Sequence, residues 1–235
     1  MLDTAGLDAG ALAELTLFDE QGVIVLNKPP GIPTAGRTLH DPRSLQFALM
    51  QVNHRKMIWA VHQLDAATSG VNVFLRKKSL VPIWQSRMRY PNAAKSYVAV
   101  IEGQLPEPHI RVDQPIGWIG WGDNKRWGIA KKGKQAATQL RELASTGTHS
   151  VIQCTLESGR THQIRVHLQY LGLSLVGEPF YRDSPCQRHP RQALHAEQMR
   201  FADGLMPSEL RAPLPSDLRH LCDELKMPVS RWRSE

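Results

Sequence analysis

Two short stretches of this 235-residue chain concentrate side chains able to do chemistry. The first is His62-Gln63-Leu64-Asp65-Ala66-Ala67-Thr68-Ser69-Gly70, a polar loop between apolar runs. A loop held by a rigid sheet is where a protein can present an acid to a ligand, and Asp65 is the candidate nucleophile or base. The plain structural alternative is a turn in which Asp65 or Ser69 bonds its own backbone and Gly70 supplies a positive φ. The second stretch is Gly159-Arg160-Thr161-His162-Gln163-Ile164-Arg165-Val166-His167. There a helix start would combine exposed amides with two arginines and two histidines, a setting that suits a phosphate or a buried carboxylate. An arginine beside a catalytic aspartate would keep it ionised and oriented, because a neighbouring positive charge lowers a carboxyl pKa.

The elements that must hold these stretches can be read from periodicity and breakers. Gly22 to Asn27 is a β-branched run, and Lys28-Pro29-Pro30-Gly31-Ile32-Pro33 must leave regular structure, since proline lacks an amide hydrogen and fixes φ. Ser44 to Val52 has helical spacing, and Met57 to Val61 and Val71 to Leu75 read as strands on either side of the Asp65 loop. Leu80 to Met88 is an amphipathic helix and Ser96 to Glu102 a strand, while Ala137 to Leu143 and Ser150 to Glu157 form a strand pair. Thr161 is placed to cap a helix running to about Leu171, with Ile164, Leu168 and Leu171 spaced for burial and Gly172 ending it. Ser216 to Leu225 is a final helix. These elements predict an α+β fold with a mixed, mostly antiparallel sheet.

Composition narrows the class. With 41% hydrophobic residues the chain can bury a core without external staples. Its apolar runs fall far short of the roughly 20 residues a membrane helix needs. Residues 1–20 carry five acids and no base, unlike a secretory signal, so a cytoplasmic location is expected. Cys154, Cys186 and Cys222 offer no disulfide framework, and Cys186, His189 and His195 lack the paired spacing of zinc ligands, so no metal is expected. The net charge of +7 is unevenly placed. Arg76 to Lys95 holds six cations and no acid, and Asp123 to Lys134 holds five cations against Asp123. Trp118, Trp121 and Trp127 stand beside the second cluster; cations with flat rings suit nucleic acid, and solvated helix faces with core tryptophans explain the same composition equally well.

HQLDAATSG resembles the HRLDxxTSG motif of RluA-type RNA pseudouridine synthases, and ESGRTHQIRVHLQYLGLSLVGEPFY resembles their GRTHQIRVH segment with its trailing GDPLYG. LNKPPGIPT, AKSYVAVIEG, GKQAATQL and RQALHAEQMRF follow in the order that family shows, so the resemblance runs from about Leu17 to Phe201. It implies a pseudouridine synthase fold with flanking helices and a central RNA-binding cleft, acting on transfer or ribosomal RNA without metal, organic cofactor or obligatory protein partner. Residues 1–16 would be a short extension and residues 17–235 one catalytic domain with no appended RNA-binding domain. By the same resemblance Asp65 is the catalytic aspartate, Tyr97 the aromatic that stacks on the target uracil, and Arg165 the salt-bridge partner of the aspartate. His62, Gln63, Thr68, Ser69, Arg160, His162 and Gln163 are candidates for substrate contact or for shaping the site. One position departs from the pattern: the family commonly has arginine after the motif histidine, where this chain has Gln63. A catalytically idle RNA-binding protein on the same scaffold is the alternative. A glycoside or nucleoside hydrolase fits less well, because neither motif supplies two carboxylates about a scissile bond.

Overall fold

A computed structural model describes residues 7–182, 188–202 and 207–232. In chain order the first elements are α1 (Ala9–Leu15), β1 (Thr16–Glu20), β2 (Val23–Lys28), α2 (Leu45–Val52), β3 (Trp59–Ala60), β4 (Ser69–Leu75) and α3 (Val81–Arg87). Then come β5 (Ala93–Glu102), β6 (His109–Asp113), β7 (Ile116–Ile119), β8 (Arg126–Ile129), β9 (Ala137–Ser145), β10 (His149–Leu156) and α4 (Gln163–Tyr170). The chain closes with β11 (Ser174–Leu175), β12 (Leu194–Phe201), β13 (Glu209–Arg211) and α5 (Ser216–Glu224). Its contacts divide it into two compact units, Met1–Ala93 with His195–Pro213, and Ala94–Leu194 with Leu214–Glu235.

In the first unit β1, β2 and β4 pair antiparallel, and β4 then pairs in parallel with the start of β12, His195 opposite Ser69. Alternation along β2 explains its two-sided burial. Val23 and Val25 pack with Val71, Val73, Trp84 of α3 and Phe201, whereas Ile24 and Leu26 pack with Phe74 and with Leu45 and Leu49 of α2. Ser44 starts α2 by accepting the Phe47 amide hydrogen on its hydroxyl at 3.2 Å. Gly70 has φ +114°, and a Cβ there would lie 2.1 Å from the Ala196 carbonyl oxygen, so close parallel pairing with β12 requires glycine.

In the second unit β6, β9, β10 and β5 form an antiparallel sheet, with β11 also pairing β5. Ala99, Ile101, Ile152 and Cys154 pack under Ile164 and Leu168 of α4, and Val98, Val100 and Val151 pack under Leu218, Leu221 and Cys222 of α5. A separate hairpin, β7 and β8, stands with Trp118 opposite Trp127.

The expected strands and helices recur with small boundary shifts, and the sheet pairings are mostly antiparallel. One cap differs. The helix expected to start at Thr161 begins after His162, which sits in the left-handed region at φ 55° and makes no side-chain cap bond.

Candidate active site

The Asp65 loop is held from below by buried polar groups. Asp65 is half-buried, and its carbonyl accepts the Thr68 amide hydrogen at 2.9 Å, closing a tight turn. Lys28, at the end of β2, is fully buried. Its ammonium donates to the carbonyls of Pro29 at 2.9 Å, Ile32 at 2.7 Å and Ala66 at 2.8 Å, joining the proline-rich loop to the residue beside Asp65. The Gly31 amide donates to the same Ala66 carbonyl at 2.8 Å. Desolvating an ammonium is tolerable only with such a set of acceptors. Buried Thr34 accepts the Leu64 amide hydrogen at 3.1 Å and donates to Asn72 Oδ1 at 2.8 Å, and Asn72 Nδ2 donates to the His62 carbonyl at 3.3 Å. The loop is thus pinned at residues 62, 64 and 66 while Gln63 remains exposed.

Three sequence candidates on this loop turn out to build it. His62 Nε2 accepts the Val73 amide hydrogen at 3.2 Å. Thr68 is buried in the turn, and Ser69 is buried against His195 Nδ1 at 3.0 Å. His195 Nε2 lies 3.3 Å from the Ala212 carbonyl. That carbonyl can only accept, so Nε2 carries a proton, and in the neutral ring the Ser69 hydroxyl donates to Nδ1. Both Thr68 and Ser69 are buried, and these bonds give each a part in shaping the loop.

In the second unit the GRTHQIRVH stretch forms the entry to α4. Gln163, a candidate for substrate contact or for shaping the site, is bonded within the fold through both ends of its amide. Its amide nitrogen donates to the Ala137 carbonyl and to Thr138 Oγ1, each at 2.9 Å, and its oxygen accepts from Ser158 Oγ at 2.8 Å and the Arg160 amide at 3.0 Å. Both amide hydrogens are used, which leaves none for RNA. The chain continues through Thr138 to His167 Nδ1 at 2.8 Å, and His167 Nε2 donates to the Gln114 carbonyl at 3.1 Å. Burial holds the His167 pKa below its ordinary value, which favours the neutral ring this network needs. Arg160 is exposed and anchored through Nε to the Gln135 carbonyl at 2.9 Å.

Arg165 points into a cage that the sequence did not disclose. It is 4% exposed and meets Glu178, 1% exposed, through two parallel bonds, Nε to Oε2 at 2.9 Å and Nη2 to Oε1 at 2.7 Å. Its guanidinium also lies 4.9 Å from the Tyr181 ring centre and 5.9 Å from that of Phe180. Glu178 Oε1 accepts the amide hydrogens of Phe180 at 3.0 Å and Tyr181 at 3.3 Å, and the Tyr181 hydroxyl lies 2.7 Å from His162 Nδ1. Burial opposes ionisation of Glu178, but the Arg165 bonds and charge and the two amides outweigh it, so its pKa stays below the ordinary value. The available signal for Glu178 was its place in the GEPFY tail of the motif.

Tyr97, on β5 opposite Cys154, is half-buried and packs against the cluster under α4. On the same strand, Lys95 has its pKa lowered by burial and by the nearby Arg160 charge. The thiols of Cys154 and Cys222 are buried, and burial pushes the latter up to about 12, which makes it a packing group. Cys186 lies outside the described residues, and among these no group of three metal-ligating side chains occurs. Nor, among them, is any helix long and apolar enough to cross a membrane.

Comparison with known proteins gives a consistent set of matches. Residues 22–170 match the family model described as RNA pseudouridylate synthase. The chain is 31% identical to the Bacillus subtilis protein titled "Uncharacterized RNA pseudouridine synthase YhcT", over 88% of this chain and 70% of that one. It is 31% identical to the ribosomal large subunit pseudouridine synthase D of Nitrosomonas europaea, over 93% of this chain and 67% of that one. Among solved structures, human RNA pseudouridylate synthase domain containing 4 shares the fold, with a TM-score of 0.75 and 24% identity over 94% of this chain and 97% of that one.

Proposed function

This chain belongs to the RNA pseudouridylate synthase family and is an RNA pseudouridine synthase, and from that premise we propose that Asp65 carries out the isomerisation on a uridine extruded from folded transfer or ribosomal RNA. The observation that carries the assignment is the loop itself. Asp65 is the carboxylate of the HQLDAATSG motif, half-buried on a turn that Lys28, Thr34 and Asn72 brace from beneath. A braced loop holds a reactive group in place without reorganisation during reaction.

A uracil stacked in a helix hides its glycosidic bond, so the nucleotide leaves the stack, at a cost of a few kcal/mol that phosphate contacts offset. In one route the Asp65 carboxylate attacks C1′ as the N1–C1′ bond breaks, and the electron pair leaves on uracil. The base turns, C5 bonds to C1′ and displaces the carboxylate, C5 gives up its proton and N1 gains one. In the other route Asp65 takes the C2′ proton to release uracil and returns it as C5 bonds to C1′. Both routes restore Asp65 and are net isomerisations. Tyr97 stacks on the detached base, and Arg165, fixed by Glu178, supplies the positive partner of the aspartate. Exclusion of water keeps the intermediate from hydrolysis. Of the remaining sequence candidates, Gln63, Arg160 and His162 are assigned to RNA contact or to placing the groups that make it.

The test uses RNA from cells lacking this gene, incubated with pure enzyme, digested to nucleosides and chromatographed. Pseudouridine should rise as uridine falls, with no free uracil, and Asp65→Asn should abolish the conversion while binding the same RNA. Release of free uracil would point to a hydrolase, and conversion by Asp65→Asn would remove the aspartate from the mechanism.

A further inference from the structure

The β7–β8 hairpin carries an aromatic that packing does not explain. Trp121, at its tip, is 92% exposed. The turn that projects it is built on glycines. Gly120 has φ +78°, with the Asn124 carbonyl oxygen 2.5 Å from where a Cβ would stand, and Gly122 has φ +56°. The amide of Asn124 donates to the Trp121 carbonyl and that of Lys125 to the Gly122 carbonyl, each at 3.2 Å, so the tip is a closed turn.

Below the tip, Trp118 and Trp127 stack at 4.3 Å between ring centres and 28° between planes, and Lys125 Nζ lies 5.1 Å from the Trp118 ring centre. Trp127 and Ile129 pack on a small core of Ile116, Ala136, Val166 and Tyr181, which joins the hairpin to α4 and to the ring facing Arg165. The basic loop after β8 is tied back to the hairpin, with Ile116 and Lys134 exchanging backbone bonds at 2.9 and 2.8 Å. Lys125, Arg126, Lys131, Lys132 and Lys134 thus belong to one braced unit, and Arg160 is fastened beside it through the Gln135 carbonyl.

We propose that this hairpin is a substrate-recognition arm, in which Trp121 stacks on an unpaired RNA base outside the reaction centre and Lys125 and Arg126 hold the phosphates on either side of it. The inference rests on the chain acting on RNA and adds how it selects it: the arm favours targets that offer an unstacked base besides the reacting uridine. A flat ring set among cations matches a base flanked by phosphates, and stacking is tolerant of base identity. A protein partner would instead be met by an apolar patch with few lysines.

The test is fluorescence anisotropy with a labelled, unstructured RNA oligonucleotide, using intact wild-type protein, Trp121→Ala and Trp121→Phe, with inorganic polyphosphate as a base-free competitor. Trp121→Ala should weaken RNA binding about tenfold with an unchanged salt slope, Trp121→Phe should restore most of it, and competition by polyphosphate should be the same for all three. Because Trp121 is exposed, circular dichroism should show all three folded alike. Wild-type affinity in Trp121→Ala would overturn the proposal, as would an equal loss toward polyphosphate, or altered self-association with RNA affinity unchanged. Turnover with Trp121-independent binding would remove only the arm, whereas Trp121-dependent binding without turnover would remove only the catalytic reading.

Discussion

The cost of burying a charge determines what several residues here can do. Lys28 has its ammonium surrounded by backbone carbonyls of Pro29, Ile32 and Ala66, so Lys28→Met would leave those acceptors unsatisfied next to the Asp65 turn. Urea denaturation should show a loss of about 3 kcal/mol, and activity should fall further than the folded fraction because the turn loosens. The Arg165–Glu178 pair gives a signed pH effect. The Glu178 pKa in the folded chain lies below its ordinary value of 4.5, so the pair stabilises the fold above that value, and the contribution is lost as pH falls through the folded pKa. Glu178→Gln should be destabilised at neutral pH by about 3 kcal/mol, since it leaves Arg165 buried without its counter-charge. It should also lose less stability than wild type between about pH 5 and pH 3, and parallel melting curves would refute the assignment. Asp65 could be singled out from its motif and its place between two strands. Glu178 had only its place in the GEPFY tail of the second motif, since nothing in residue type announces that an acid 13 positions along will face Arg165.

At the scale of elements, legibility followed the strength of the local pattern. β2 and β4 are apolar runs bounded by breakers, and α2 has a serine cap and an apolar stripe, so all three were readable. β12, whose sequence LHAEQMRF mixes charge with apolar residues, has no clear strand pattern of its own; its pairing with β4 and β13 decides its conformation. The β7–β8 hairpin is hard to read because each strand is only four residues long and is interrupted by Gly117 or Gly128, a residue depleted in strands; it is held by ring stacking and by close approach of Gly117 to Gly133. Gly70 gives the sharpest test of an element. In Gly70→Ala the new methyl would meet the Ala196 carbonyl at 2.1 Å and require a left-handed backbone. The expected loss is about 3 kcal/mol, with hydrogen exchange accelerated first at the β4–β12 pairing. Unchanged protection there would mean that the strands do not pair as described.

For the molecule as a whole, the charge of +7 and its concentration in two windows predict electrostatic capture of RNA. Affinity should fall steeply and log-linearly with salt, and replacing Lys131 and Lys132 by alanine should lower the slope by about 2, measured by titration at several ionic strengths. The resemblance made the overall fold legible from about Leu17 to Phe201, and the shared fold with a human pseudouridylate synthase domain protein agrees with it. The division of contacts into two units was not legible, because it depends on β12 returning late in the chain to pair with β4. Whether Asp65 drives the isomerisation of uridine in RNA is measured by tritium release from RNA labelled at uridine C5, comparing wild type with Asp65→Asn. The wild type should release tritium and Asp65→Asn none, with both proteins folded and binding the RNA. Release by Asp65→Asn at the wild-type rate would contradict that role.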